Sequence, residues 1–214
     1  MKLTSEEGRV LGCLIEKQLT TPQLYPLTEK ALITACNQTT NRDPVVAYDV
    51  SAVRIAAQSL REKGLLRMVH RTGERSDKHH QLLDSFLTLS PEQVTLLAVL
   101  LLRGPQTVAE LRARSERMHP FDTVAQVQEA LDALTDRDDP LAARLERQPG
   151  RKEARYRQLL VDVEHGVVRP TSNQATPPDS LTLVGLAREI DLLRGEVTEL
   201  RTQVDGLRQE TDVD

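Results

Sequence analysis

Aromatic residues are scarce in this chain: Tyr and Phe together make up 2% of it, and Trp is absent. The hydrophobic core must therefore be built from aliphatic side chains. Proteins that hold single-stranded nucleic acid usually stack its bases on aromatic rings, so the composition argues against that class of protein.

Long apolar runs are missing as well. No run approaches the roughly 20 residues that a membrane-spanning helix needs. The first residues, Met1-Lys2-Leu3-Thr4, lead into a polar helix without the apolar centre of a signal peptide. We therefore expect a soluble, cytoplasmic protein with no membrane partner.

Cysteine is rare, and the two present, Cys13 and Cys36, lie far apart in apolar helical runs. Neither has the neighbouring cysteine of a CxxC metal or redox motif. We expect both to be reduced core residues.

Patterns typical of catalysis are absent too. The chain contains neither GxGxxG nor GxxxxGK[ST], the glycine-rich sequences that cradle phosphates. His79 and His80 are adjacent on a predicted strand, so their side chains point to opposite faces, and no carboxylate or thiol stands at ligand spacing from them or from His70. We expect no catalytic residues, no metal and no cofactor, and we interpret the protein as a non-enzyme.

Charge is distributed unevenly around the net value of −4. Residues 1–84 carry 12 basic and 10 acidic side chains, residues 85–162 carry 11 and 12, and residues 163–214 carry 5 and 10. The net charge therefore argues against a uniformly basic protein that coats DNA, but the uneven distribution leaves room for local basic surfaces.

The most informative stretch is a predicted helix from about Tyr48 to Lys63, followed by a basic hairpin. Its apolar residues recur at helical spacing and should face the core: Val50, Val53, Ala57 and Leu60. Its polar residues lie on another face: Ser51, Arg54, Gln58 and Arg61. Gly64 ends the helix, and residues 65–70 and 79–82 are predicted strands. A helix followed by a two-stranded basic hairpin is the outline of a winged helix.

Two earlier helices complete a first domain over residues 1–84. The first runs to about Gln18 after a cap at Thr4. The second is opened by Pro26 and Thr28 and ends near Asn37, and we expect its inward residues to be Ala31, Leu32, Ala35 and Cys36.

Residues 85–162 repeat this order and predict a second winged-helix domain. Ser90 caps a helix that Gly104-Pro105 ends. Two more helices follow, over residues 107–114 and about 123–136, and the inward residues of the last are Val124, Val127, Leu131 and Leu134. Residues 141–147 and 154–160 then flank a second basic turn.

Several segments together resemble the signature sequences of the YceH-like bacterial proteins. They are Ala35-Cys36-Asn37-Gln38, Asn41-Arg42-Asp43-Pro44-Val45, Leu101-Leu102-Arg103-Gly104-Pro105-Gln106-Thr107, Glu110-Leu111-Arg112 and Arg147-Gln148-Pro149-Gly150-Arg151-Lys152-Glu153. The resemblance covers residues 3 to about 160. The sequence differs from the family pattern at position 79, where it has His79 and the pattern has an aromatic residue such as Tyr. It implies tandem winged-helix domains in a family of uncharacterised role, with no established catalytic residues.

The C-terminal residues show two further patterns. Residues 163–180 contain Pro170, Pro177 and Pro178 among polar side chains, which predicts a flexible linker. Residues 181–210 carry an apolar seam at alternating spacings of three and four, which favours a parallel two-stranded coiled coil. The seam residues are Leu183, Leu186, Ile190, Leu193, Val197, Leu200, Val204 and Leu207. The alternative is a single amphipathic helix that folds back on its own domains.

These features make double-stranded DNA the expected partner. The third helix of a winged helix enters the major groove while the wing follows the phosphate backbone or the minor groove. The candidate DNA-binding residues are therefore Arg42, Ser51, Arg54, Gln58, Arg61, Arg71, Arg75, Lys78, Arg151, Lys152, Arg155 and Arg157. The alternative for each cation is that it only keeps the surface soluble.

The second domain differs from the first because its third helix is acidic. Its predicted exposed residues are Gln126, Gln128, Glu129, Asp132 and Asp136. Phosphate would repel that face, so we expect this domain to contact DNA through its wing or to bind a protein partner.

The fold expected from the sequence is mainly α with small β-hairpin wings: tandem winged helix-turn-helix domains and a C-terminal coiled-coil helix. The expected function is a homodimeric DNA-binding transcription regulator. The alternative is a winged-helix scaffold that binds proteins and not DNA, as many winged helices do.

Overall fold

The structure, a computed structural model, describes residues 2–70, 76–147, 150 and 153–161. Within these residues the fold is mainly helical with two small antiparallel sheets, as the sequence predicts. The first half contains α1 (Ser5–Thr20), a 3-10 turn (Pro22–Leu24), β1 (Leu27–Thr28), α2 (Glu29–Cys36), α3 (Val50–Glu62), β2 (Leu66–Val69) and β3 (Lys78–Gln81). The second half contains α4 (Leu83–Leu87), α5 (Pro91–Arg103), α6 (Val108–Ser115), α7 (Val124–Thr135), β4 (Ala142–Arg144) and β5 (Tyr156–Gln158).

The α1 helix begins at the predicted cap. Thr4 Oγ1 accepts a hydrogen bond from the Glu7 backbone N–H (3.2 Å), and Glu7 Oε2 accepts one from the Thr4 backbone N–H (2.8 Å). These two bonds satisfy amides that have no partner within the helix. A hydroxyl and a carboxylate in the first turn thus fix where the chain becomes helical.

The β1 strand was not predicted. Leu27 pairs with His79 and Thr28 with Lys78, which makes a three-stranded sheet in the order β1-β3-β2. The α2 helix consequently starts later than predicted: Thr28 is its cap, and Pro26 lies outside it. Leu27 is buried in the core, so its burial favours strand pairing over an extra helical turn.

The α3 helix is shorter than the predicted range of residues 48–63. Its cap is Asp49, which accepts a hydrogen bond from the Ala52 N–H at 2.7 Å. Tyr48 is held outside the helix because its backbone N–H and carbonyl both bond to the side chain of Asn37.

Three apolar residues face solvent although the helical spacing placed them inward. Val50 on α3 is 48% exposed, Val124 on α7 is 49% exposed, and Ala31 on α2 is exposed as well. Val50 and Val124 are the first residues of their helices, whereas Val53 and Val127, three positions further on, are buried. The buried stripes actually include Ala56 on α3 and Ala130 on α7.

His79, which stands where the family pattern has an aromatic residue, is buried in the structure. His79 lies on the central strand, opposite Leu27 of β1 and Met68 of β2, and is 7% exposed. Burial lowers the pKa of His79, which disfavours the protonated form of the ring.

The second half reproduces the order of the first. After α5, Gln106 forms a single antiparallel bridge with Tyr156 of β5, in the place that β1 takes beside β3. The helices α5, α6 and α7 all begin with capping boxes, at Ser90, Thr107 and Thr123. Three helices and a hairpin therefore occur twice, which is the internal repeat that the sequence indicates.

The two repeats pack against each other through α1 and α5. A Cβ atom at Gly12 would lie 3.0 Å from Leu102 Cγ and Cδ2, so glycine permits this close approach. Leu3 also forms a parallel bridge with Val161. All described residues belong to one compact unit, and the predicted boundary between residues 84 and 85 falls inside α4.

No helix among the described residues is both long and apolar enough to cross a membrane. The predicted linker (163–180) and coiled coil (181–210), including all eight seam residues, lie outside the described residues and stay predictions.

Candidate nucleic-acid interface

The outward face of α3 carries the candidate base-reading residues. Ser51, Arg54, Gln58 and Arg61 are all exposed on this helix, whereas Val53, Ala56, Ala57 and Leu60 bury the opposite face. Helical spacing brings the four polar side chains onto one side within about three turns. The structure thus gathers four of the predicted site residues on one surface.

Arg54 is held on that surface by Glu29, the first residue of α2. The carboxylate accepts hydrogen bonds from Arg54 Nε (2.9 Å) and Nη2 (2.8 Å). The hydrogen bonds from Arg54 lower the pKa of Glu29, and those to Glu29 raise the pKa of Arg54. Both groups stay charged at neutral pH, and the Arg54 side chain remains 65% exposed.

Ile55 belongs to the same face, although sequence reasoning did not select it. It is 67% exposed, more than any other residue of α3 with a large apolar side chain. The signal was available, because Ile55 lies two positions from both Val53 and Ala57 and so stands across the helix from the buried stripe. An exposed Ile in the middle of a helix can contact the methyl group of thymine.

Gln58 has an acidic neighbour on its own helix. Its side-chain Nε2 donates a hydrogen bond to Glu62 Oε1 at 2.7 Å, one turn further on. One amide hydrogen and the carbonyl oxygen of Gln58 are left for another partner.

Arg42 is a correction to the predicted site. Its side chain is fully buried and donates to Glu16 through Nη1 (3.0 Å) and Nη2 (2.7 Å) and to the Ala35 carbonyl through Nε (3.2 Å). Burial by itself would raise the pKa of Glu16, but the hydrogen bonds and charge of Arg42 bring it below its ordinary value. Arg42 therefore holds the loop before α3 in place and is removed from the DNA-binding candidates.

The first hairpin, which the sequence predicts to be a wing, is described only at its base. Lys78 is half-buried on β3 opposite Val69, and Arg67 of β2 is exposed. His70 Nδ1 lies 3.0 Å from Asp77 Oδ1 across the opening of the hairpin. Arg71 and Arg75 lie outside the described residues and stay predictions.

The outward face of α7 is acidic. Gln126, Glu129, Asp132 and Asp136 are exposed as predicted, but Gln128 is half-buried and donates to the hydroxyl of Tyr156 at 2.8 Å. This face offers carboxylates where α3 offers guanidinium groups.

In the second hairpin, two of the candidate DNA-binding residues are partly covered by the protein. Arg155 and Arg157 are half-buried, and Arg157 Nε is a buried donor for which the described part of the chain supplies no acceptor. Arg151 and Lys152 lie outside the described residues. A phosphate that Arg157 contacts would have to reach the partly covered base of this hairpin.

Metal-binding geometry is not found in the described residues, where no three His, Cys, Asp or Glu side chains lie close enough to share an ion. Cys13 and Cys36 are buried and free of disulfides.

Comparison with known proteins identifies relatives whose descriptions name no activity. A family described as a protein of unknown function, DUF480, matches residues 3–151. A UPF0502 protein of Pelobacter propionicus is 45% identical over 212 residues, which is 99% of this chain and 96% of the relative. One of Geobacter metallireducens is 55% identical over 159 residues (74% and 72%), and one of Klebsiella pneumoniae is 40% identical over 211 residues (96% of both). None of these descriptions names a ligand, so a function must be argued from this chain.

Proposed function

The chain belongs to the DUF480 family of proteins of unknown function, and from its geometry we propose that it binds double-stranded DNA through α3. This membership agrees with the resemblance to uncharacterised YceH-like proteins found in the sequence. The observation that carries the proposal is the exposed face of α3, which combines Ser51, Arg54, Ile55, Gln58 and Arg61 on one helix.

The order of elements supports assignment of the first repeat as a winged helix. It runs α1, β1, α2, α3, β2 and β3, and its sheet has the order β1-β3-β2. In helix-turn-helix proteins the helix in the position of α3 lies in the major groove. The second repeat follows the same order, with the Gln106–Tyr156 bridge standing for the first strand.

The side chains of α3 have the chemistry that reads base edges. Arginine donates two parallel hydrogen bonds to guanine O6 and N7, glutamine pairs with adenine N6 and N7, and an apolar side chain packs on the thymine methyl. Arg54, Gln58 and Ile55 supply one group of each kind. The proposed face therefore discriminates both A·T and G·C pairs.

Phosphate contacts are assigned to the wings. In the first wing they come from Arg71, Arg75 and Lys78, and in the second from Arg151, Lys152, Arg155 and Arg157. Such contacts fix the register of a protein on the duplex and supply most of the non-specific affinity.

Homodimerisation belongs to the same proposal. A parallel coiled coil over residues 181–210 would place two α3 helices in one particle, and the linker over residues 163–180 would let them occupy half-sites at variable spacing. In this form the protein acts as a cytoplasmic transcription regulator.

Protein docking is the second candidate, and the exposed apolar residues of α3 favour it. Val50 and Ile55 on α3 are both exposed. The α7 helix presents carboxylates that DNA would repel. Under this alternative α3 packs on another protein and contacts no bases.

A titration with random-sequence duplex DNA at about 50 and about 200 mM salt separates the two candidates. If about five phosphates are contacted, the log-log slope is near −4.5, and binding weakens about 500-fold between the two conditions. Arg54→Ala should weaken binding in this titration. Its matched control is Arg117→Ala, which removes an exposed cation outside α3 and both wings. Absence of salt-dependent binding overturns the DNA proposal and favours docking.

A further inference from the structure

We infer that Glu29 is a positioning residue that presents Arg54 to a guanine base. The inference rests on the proposed DNA binding and adds a residue of α2 to a surface otherwise built from α3. It also sets the class of base pair at that position of the site, namely G·C.

The ion pair leaves free the edge of the Arg54 guanidinium that can bond to guanine. Glu29 occupies the side edge of Arg54, since it accepts from Nε and Nη2. A guanidinium has five N–H donors in a rigid fork. The outer edge, with one N–H each on Nη1 and Nη2, is therefore still available for guanine O6 and N7.

Glu29 is itself anchored by the fold. It is the first residue of α2, immediately after the cap Thr28, whose hydroxyl accepts from the Ala31 N–H at 3.3 Å. Thr28 is also paired with Lys78 in the sheet. The positive end of the α2 dipole further favours the ionised carboxylate, so Glu29 is a charged and well-placed support.

Two physical effects follow for recognition. The ion pair with Glu29 restricts the rotamers of the Arg54 side chain before DNA arrives, which makes a bidentate contact less costly to form. The Glu29 carboxylate also repels phosphate and opposes sequence-independent attraction of Arg54 to the backbone. Both effects increase discrimination between sequences, and the second lowers affinity for random DNA.

Glu29→Gln tests the inference because it keeps the shape and removes the charge. We expect Glu29→Gln to bind random duplex about 2- to 5-fold more tightly and to lose about 3- to 10-fold of its preference for guanine at one position, as read by selection from a random duplex library. Arg54→Lys, which keeps the charge but not the fork, should lose the same preference. Glu116→Gln, an equal charge change at an exposed position, should alter neither quantity.

The ion pair is checked separately in the free protein by NMR of arginine side chains. The Arg54 Nε–H resonance should be visible and protected from exchange in the wild type and in Glu116→Gln, and it should broaden in Glu29→Gln. If the Arg54 Nε–H resonance is unchanged in Glu29→Gln, the proposal that Glu29 orients Arg54 is contradicted.

The outcomes distinguish the two proposals. If the wild type shows no salt-dependent binding, DNA binding itself is overturned. If the wild type binds and Glu29→Gln keeps the same base preference, only the role of Glu29 is overturned.

Discussion

Lys63 Nζ lies 2.6 Å from both carboxylate oxygens of Glu7, so the residue that caps the end of α3 is tied to the first turn of α1. The Glu7 side chain is 2% exposed and that of Lys63 is 31% exposed. Glu7 also completes the cap of α1 through the Thr4 N–H. One carboxylate thus sets both where α1 starts and how α3 is held against it.

This pair predicts a loss of stability in acid. Burial alone would raise the pKa of Glu7, but hydrogen bonds from Lys63 and from the Thr4 backbone bring it below the ordinary 4.5. A carboxylate with a lowered folded-state pKa stabilises the fold above its unfolded pKa, and that contribution is lost as pH falls through the folded value. Glu7→Gln should cost about 1–3 kcal/mol near pH 7, the range for losing a hydrogen bond to a charged group. Its urea midpoint should fall less steeply than the wild type's below pH 4.5. Equal slopes for both proteins would contradict the assignment to Glu7.

The burial of Arg42 predicts that its substitution lowers the free energy of unfolding and removes no direct contact with DNA. Arg42→Ala removes the buried guanidinium that pairs with Glu16 and donates to the Ala35 carbonyl. Lys17 Nζ, 3.1 Å from Glu16 Oε2, still compensates part of the remaining charge, so we expect a cost of about 3 kcal/mol, the low end of the range for breaking a buried ion pair. Urea unfolding measures this cost, with Arg117→Ala as the exposed control. Glu16→Gln/Arg42→Met, which removes both charges, should recover part of the loss; failure to recover any would contradict the charge argument.

The close packing of α1 against α5 at Gly12 predicts that a larger residue at this position destabilises the fold. Alanine favours a helix over glycine by about 1 kcal/mol, but its methyl group would press on Leu102, which is itself buried. Overpacking costs about 1–3 kcal/mol, so Gly12→Ala should be destabilising by about 1 kcal/mol in net terms. Leu102→Ala removes both Leu102 atoms that the methyl group would meet and leaves Leu101 Cβ at 3.2 Å, so Gly12→Ala introduced in that background should cost less. Equal costs in both backgrounds would show that Leu102 does not confine the site.

Sequence periodicity predicted six of the seven described helices, because each of these six has a side-chain cap and an apolar stripe within a short stretch; the five-residue α4, which has no side-chain cap, was not predicted. Thr4 and Ser90 cap helices where a hydroxyl was expected to do so, and these interactions join residues only three apart. Local chemistry of this kind is visible in the sequence itself.

Features that depend on distant partners were not predictable in the same way. The two-residue strand β1 forms only because β3 lies beside it, and a strand that short has no periodicity of its own. Arg42 looked like a surface cation because nothing near it in sequence reveals its partner, Glu16. The support of Arg54 by Glu29 likewise joins residues of different helices, so the sequence showed the arginine and not the carboxylate that orients it.

The proposed roles of α3 in base reading and of the second hairpin in phosphate contact predict two different DNA-binding phenotypes. Arg54→Ala should change the preferred sequence, costing about 1–3 kcal/mol at one base pair. Lys152→Ala should weaken all sequences alike and make the salt slope shallower by about 1. Library selection and the two-salt titration measure both variants, and small identical effects would contradict the two proposed roles.

Dimerisation through the C-terminal seam makes the last prediction. Lysine at Leu193 and Leu200 would place charges in the seam of the predicted coiled coil, where burial without a partner is unfavourable. Leu193→Lys/Leu200→Lys should therefore halve the mass in solution measured by light scattering and weaken DNA binding through loss of the second α3 helix. Glu199→Lys, a charge change outside the seam, is the control and should stay dimeric. An unchanged mass in the double variant would favour the alternative in which this segment folds back on its own chain.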